Sequence, residues 1–412
     1  MSFLHDQWME AGNELEDLSE VLERLEQTTV VIPFATRELR FCAIAEGVIP
    51  PEGKLPIHVY HKDNVFGEPG KSAISLTKMS ESGVPEDILQ ELKLTQLLLQ
   101  YNKSVFFTAR YLSRDLGARA GLGGEAFDKP CESRARYLMD RYSRENKVVN
   151  AIIRKDGGIA KIIALGSRTF AHVPQTILLD LLFGFESALG KAKCISWLVT
   201  HQITRIVVSF PEKQEDLVKT YGIKGMPTPA MLLETSDTGD CSIKCTAIWL
   251  NAKHNSLARA ESYSRRHSLS TGRKDGKTLA EIAVEEAEEA VFKTYTKLPE
   301  RLTALFAVDV LDPLYCIDQI ADGLKLQKQI GLRRSEALLA ALKASINSEE
   351  KYTAYDIAMM FLGITECEFG EDGLCAADPS ITRTRLEELA YQAPFLPIEK
   401  WARSGGKIAI IA

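Results

Sequence analysis

The chain reads as an α+β protein: an antiparallel, hairpin-built sheet with helices on one face, flanked by helical N- and C-terminal segments. Three observations predict this. VVNAIIRKDGGIAKIIAL places two strand-forming runs about Lys155-Asp156-Gly157-Gly158, whose glycines supply the positive φ of a tight hairpin turn. Residues 194–212 and 229–251 repeat the pattern of β-branched runs divided by turn residues. From 278 onward the apolar spacing changes to three and four, the helical period. A sheet with one apolar face and helices with one apolar stripe bury each other, which gives two layers.

At 412 residues the chain is long enough for more than one domain. Three regions are expected. Residues 1–103 combine a helix, a small proline-rich β region and a second helix. Residues 104–302 form the central α+β domain, with a basic loop over 252–278. Residues 303–412 are helical.

In chain order, Leu15, Leu18, Leu22 and Leu25 recur at three and four residues within 9–27, an amphipathic helix. Its stripe has two readings. Packing on its own domain is favoured by the shortness of the repeat, and a homo-oligomer interface is the alternative. Residues 28–64 are strands punctuated by Pro33, Pro50, Pro51 and Pro56, a density that suits edges and turns. His58 and His61 fall on opposite faces of such a strand, poor geometry for sharing a metal.

Residues 104–147 read as helix, glycine turn, helix, with nine Arg/Lys against six Asp/Glu. Arg134, Arg136, Arg141 and Arg144 cluster on the second helix, either facing nucleic acid or forming a solvated face with Asp140 and Glu145. After the 148–165 hairpin, Pro174 suits a first helical position, and QTILLDLLFGFESAL follows as an apolar helix. Residues 194–212 give two strands, EKQEDLVKTYGIKGMPTP a loop, and 229–251 a hairpin about Ser236–Asp240. Helices fill 278–302 and most of the remainder, with Thr353 as an N-cap.

A net charge of −6 excludes a broadly basic chain, so any nucleic-acid contact has to come from a local patch. The eight cysteines form no CxxC and read as reduced thiols of a cytoplasmic protein. The acidic start lacks the basic and apolar regions of a signal peptide, and no apolar run reaches the roughly 20 residues of a membrane span. Val65 stands where a phosphate loop needs glycine, and Gly121, Gly123 and Gly124 follow a helical pattern, not the strand of a dinucleotide fingerprint. No catalytic residues, metal ligands or cofactor are therefore expected.

The most basic stretch is 252–278, where Lys253, Arg259, Arg265, Arg266, Arg273, Lys274 and Lys277 face only Glu261 and Asp275. With Tyr263 and His267 interleaved, that composition suits a mobile phosphate-binding loop, or a surface loop balancing the acidic helix after it. Arg154, Lys155, Lys161, Arg168 and Arg205 are expected beside it on the sheet.

The order of these segments resembles the phage- and plasmid-encoded family called domain of unknown function 932. ARYLSRDLGARAGLGGEAF with RARYLMDRY resembles its paired-helix lead-in, and IIRKDGGIAKIIALGSRTFAHVPQTILLDLL its hairpin and following helix, with Phe170 where Tyr is usual. PAMLLETSDTGDCSIKCTAIWL resembles a later hairpin, SRRH a basic loop, and TAYDIAMMFLGITE a late helix. The likeness spans about 100–365, and Trp249-Leu250-Asn251-Ala252 departs from the usual C-N-x-[LM]. It implies a mobile-element context and brings no catalytic residues. The expected function is a non-enzymatic protein of a phage or plasmid that binds nucleic acid, single-stranded DNA in recombination or replication. The alternative is an oligomeric assembly or host-inhibitory protein that binds none.

Overall fold

The computed structural model describes residues 4–45, 54–75, 97–119, 131–156, 159–168, 170, 172–238, 241–251, 256–265, 279–364 and 379–404. The α+β class holds, with two sheets in place of one. The first runs β1 (Met9–Gly12), β10 (Lys193–Thr200), β11 (Thr204–Ser209), β12 (Thr228–Thr235), β13 (Ile243–Asn251), β14 (Ser256–Arg265), and every pair is antiparallel. Strand alternation collects Trp197, Val199, Ile206, Val208, Met231, Leu233, Cys245, Ala247 and Trp249 into the largest core. Helices α4 (Ile177–Leu189) and α6 (Leu279–Phe306) contribute to that core. Gly184 is required where they cross: a Cβ there would lie 2.7 Å from Val284 Cγ1.

The second sheet has the order β2 (Thr29–Ala35), β8 (Val148–Asp156), β9 (Ile159–Ser167), β7 (Ser104–Thr108), β6 (Leu97–Tyr101), β3 (Arg40–Ile44), β4 (Lys54–Tyr60), β5 (Gly70–Ser75). The β7–β9 pair is parallel and the others antiparallel. Strand β6 is four strands from edge strand β2, about 19 Å in a flat sheet at the usual spacing. Yet the Phe34 and Tyr101 rings stack 4.3 Å apart, so the sheet curls round its own core. Leu39, Phe41, Leu99, Phe106, Ile153 and Ile162 fill the inside, together with α3 (Cys131–Ser143) and Leu112 and Leu116 of α2 (Arg110–Arg119). Pro33 falls on the edge strand, as its missing N–H requires.

The three hairpins thus divide between sheets: 148–167 joins the curled one, and 193–209 and 228–251 the other. Local pattern fixes a hairpin's pairing, while long-range burial decides its sheet. Residues 104–108 form a strand where a helix was expected, and the β6–β7 hairpin crosses the boundary drawn at 103. Residues 211–221 are a helix, α5 (Pro211–Tyr221), where a loop was expected, with Pro211 in its first turn and Gly222 left-handed at φ 72°. Helix α4 begins at Ile177, one turn after Pro174, whose carbonyl accepts the Ile177 N–H.

The N-terminal segment is built into the molecule. On α1 (Leu15–Thr28), Leu18, Val21, Leu22 and Leu25 are buried in the largest core, which removes the apolar stripe proposed for a homo-oligomer. Thr353 caps α10 (Ala354–Leu362) in a capping box with Asp356. No helix among the described residues is long and apolar enough to cross a membrane.

Candidate nucleic-acid interface

Two of the basic residues expected on the sheet surface are inside the protein. Arg154, on β8, is fully buried, with its guanidinium 2.7 Å from Asp237 Oδ2 and donating to Thr29 Oγ1. Asp237 sits after β12, so this pair joins the two sheets. Gln175 donates to Asp237 Oδ1 at 2.9 Å and accepts from Thr204 Oγ1. His172 Nε2 lies 3.7 Å from the same carboxylate. Burial alone would raise the Asp237 pKa, but Arg154, His172 and Gln175 hold it well below the usual carboxylate range. Lys161, on β9, donates to Leu4 O at 2.7 Å and lies 2.6 Å from Asp6 Oδ1. Neither cation can reach a phosphate without breaking the fold. The sequence pattern missed this because alternation assigns a face, and here both sheet faces meet protein.

His201 belongs to the same junction, with Nε2 donating to His5 O at 3.0 Å. Burial, then the charges of Arg154 and Lys161, push its pKa down to about 3 from 6.5. The unfolded chain takes up a proton below pH 6.5 that the native chain refuses down to about 3. Stability is therefore full above that window and falls as pH drops through it, by up to about 1.4 kcal/mol per pH unit. Urea unfolding between neutral pH and about pH 4 should show this slope, and His201→Gln should flatten it. Asp237 acts in the same direction further down, below its unfolded value of 3.8.

Among the described residues, no group of three or more His, Cys, Asp or Glu could hold a metal ion. His172 and Asp237 lie close together, but the carboxylate already has Arg154 on one oxygen and Gln175 on the other. Asp240 lies outside the described residues. The thiols of Cys42, Cys245 and Cys316 are pushed up to about 12, in each case by burial first.

The expected basic loop is divided. Residues 256–265 are strand β14, and its cations are paired to helices. Arg259 binds Glu387 on α11 (Pro379–Gln392) at 2.9 Å, and Arg265 binds Glu286 on α6 at 2.5 Å. These two tie an edge strand to the helical layer, so they correct the reading of a mobile clamp. Lys253, Arg266, His267, Arg273, Lys274 and Lys277 lie outside the described residues. Arg205 is half-exposed and held 2.7 Å from Glu234. Lys155 and Arg168 are exposed.

Arg168 leads to a surface that composition did not reveal. With Arg141 and Lys147 it rims a concavity of about 590 Å³ at the start of β8 and end of β9. Arg141 comes from the C-terminal turn of α3, so the helix face rich in Arg divides by role. Arg144 pairs with Asp140, Arg136 is turned onto backbone carbonyls, and Arg141 is exposed. A second concavity, of about 640 Å³, holds Arg37, Arg40, Lys62 and Lys103 with one carboxylate, Glu38. Lys103 is presented by a two-residue hairpin turn in which Asn102 and Lys103 both have positive φ, 46° and 69°.

The helical turn Thr36–Glu38 links the two concavities through the backbone. Thr36 donates its N–H to Lys147 O at 2.9 Å and its hydroxyl to Glu145 O at 2.6 Å, and its hydroxyl accepts from Lys147 N at 3.0 Å. Residues on the rim of one concavity are thereby clamped to the turn that supplies Arg37 to the other. Arg40, Lys62, Lys103, Arg141 and Arg168 have no carboxylate partner within ion-pair distance among the described residues. They come from five places in the chain, and no sequence window could have joined them.

No family model matches the chain, and no curated protein or solved structure matches it.

Proposed function

We propose that this is a non-enzymatic nucleic-acid-binding protein of a phage or plasmid, acting in the cytoplasm on single strands exposed in recombination or replication. The observation that supports the reading is the paired basic concavity about Thr36–Glu38, concentrated on a chain of net charge −6. Cations without acidic partners keep their charge available to neutralise phosphates, whereas Arg154, Lys161, Arg259 and Arg265 are already neutralised. The mobile-element setting rests on the order of sequence motifs alone.

Fluorescence anisotropy with a labelled single strand and its duplex, at about 50 mM salt, tests the reading where phosphate neutralisation is strongest. Saturable binding of the single strand is the expected outcome. A protein that is folded by circular dichroism and binds neither oligonucleotide would overturn it.

A further inference from the structure

The connection between β4 and β5 contributes more than charge. It runs from His61 to Pro69 and supplies His61 and Lys62 to the larger basic concavity. Four residues on, Phe66 is 82% exposed, the most exposed large apolar side chain among the described residues. Single exposed apolar residues are ordinary on protein surfaces, so exposure alone says little. The backbone around Phe66 is what sets it apart.

Two successive turns shape this connection, with Asn64 N–H donating to His61 O at 2.9 Å and Gly67 N–H to Asn64 O at 3.2 Å. Val65 points inward and is buried. Arg136 of α3 then donates to the carbonyls on both sides of Phe66, Val65 O at 2.7 Å and Gly67 O at 3.1 Å. Its guanidinium rests 5.1 Å from the centre of the buried Tyr60 ring, so the clamp is itself held in place. The backbone that presents this aromatic ring to water is thus held by a buried neighbour and a two-point clamp, on the segment that carries Lys62. Tyr137, next to Arg136, is 42% exposed and one helical turn before Arg141 of the other concavity.

We infer that Phe66 is a stacking platform for an unpaired base, and that it makes the basic surface selective for single-stranded over duplex nucleic acid. A base in a duplex has both faces occupied by its neighbours, while an unpaired base can lay one on an aromatic ring. Holding the backbone of Phe66 in place beforehand removes part of the ordering cost of binding. This deepens the nucleic-acid reading above and rests on it.

The test compares wild type, Phe66→Ala and Phe66→Trp on a labelled single strand and its duplex over a range of salt. Phe66 is exposed, so the urea midpoint should not move. Phe66→Ala is expected to weaken single-strand binding about tenfold. The salt slope and duplex binding should stay unchanged, because every cation that neutralises a phosphate is still in place. Phe66→Trp should restore affinity, with quenching of the new indole when single strands bind. If wild type binds single strands and Phe66→Ala binds them equally well, the platform is wrong while the nucleic-acid reading stands. Equal losses on single strand and duplex would also overturn it. If wild type binds neither, both fall.

Discussion

Asp237→Ala is expected to cost about 3–5 kcal/mol of folding stability, the loss typical of breaking a buried ion pair from one side. Arg154 is fully buried, and Asp237 is its carboxylate partner at 2.7 Å. Removing the carboxylate leaves a guanidinium inside the protein with Thr29 Oγ1 to accept from it, and it also frees Gln175. The damage falls where the two sheets meet, so the transition should broaden or divide as the sheets uncouple. Replacing both charges, Arg154→Met with Asp237→Leu, should recover much of the loss, because apolar groups of similar volume carry no desolvation cost. Urea unfolding at neutral pH reads both variants. A loss of under about 1 kcal/mol for Asp237→Ala would show that the pair behaves as an exposed one and does not hold the junction.

The second large effect is on binding. Changing Arg37, Arg40, Lys62 and Lys103 together to alanine empties the larger concavity of its cations. Each phosphate of a single strand left without its cation should reduce the slope of log K against log salt by about 0.7, so the four together should remove about 2–3 units. Affinity at low salt should fall by more than tenfold, with the urea midpoint within about 0.5 kcal/mol of wild type because all four are exposed. An unchanged slope, with binding retained, would move the interface elsewhere on the molecule.

Much of the fold was legible in the sequence because it is written locally. The 148–167, 193–209 and 228–251 hairpins follow from period-two runs with turn residues between them, and the Thr353 N-cap from a threonine placed just before an apolar helical run. Helix α5 was also written locally, with Pro211 at its start and Gly222 at its end, but its thin apolar face, of which only Leu217 is fully buried, hid it among charges. What could not be read was which sheet each hairpin joins, since curling brings Phe34 against Tyr101 across four strands. The candidate site failed in the same way. Arg154 lies on the first strand of one hairpin and Arg168 directly after its second, and they look alike in sequence, yet one is sealed against Asp237 and the other rims a concavity. A basic residue declares its charge in the sequence. Whether that charge is already neutralised depends on partners such as Asp6, Asp237, Glu286 and Glu387, which folding brings from far along the chain.

The most direct test of the nucleic-acid reading is the salt dependence of wild-type binding to a labelled single strand between about 50 and 200 mM. The five cations without a carboxylate partner, at about 0.7 each, predict a linear fall with a slope of about −3 to −4, Arg37 and Lys147 being paired with Glu38 and Glu145. Binding that is absent at the low end, or present with a slope near zero, would contradict the reading, because neither leaves a role for phosphate neutralisation.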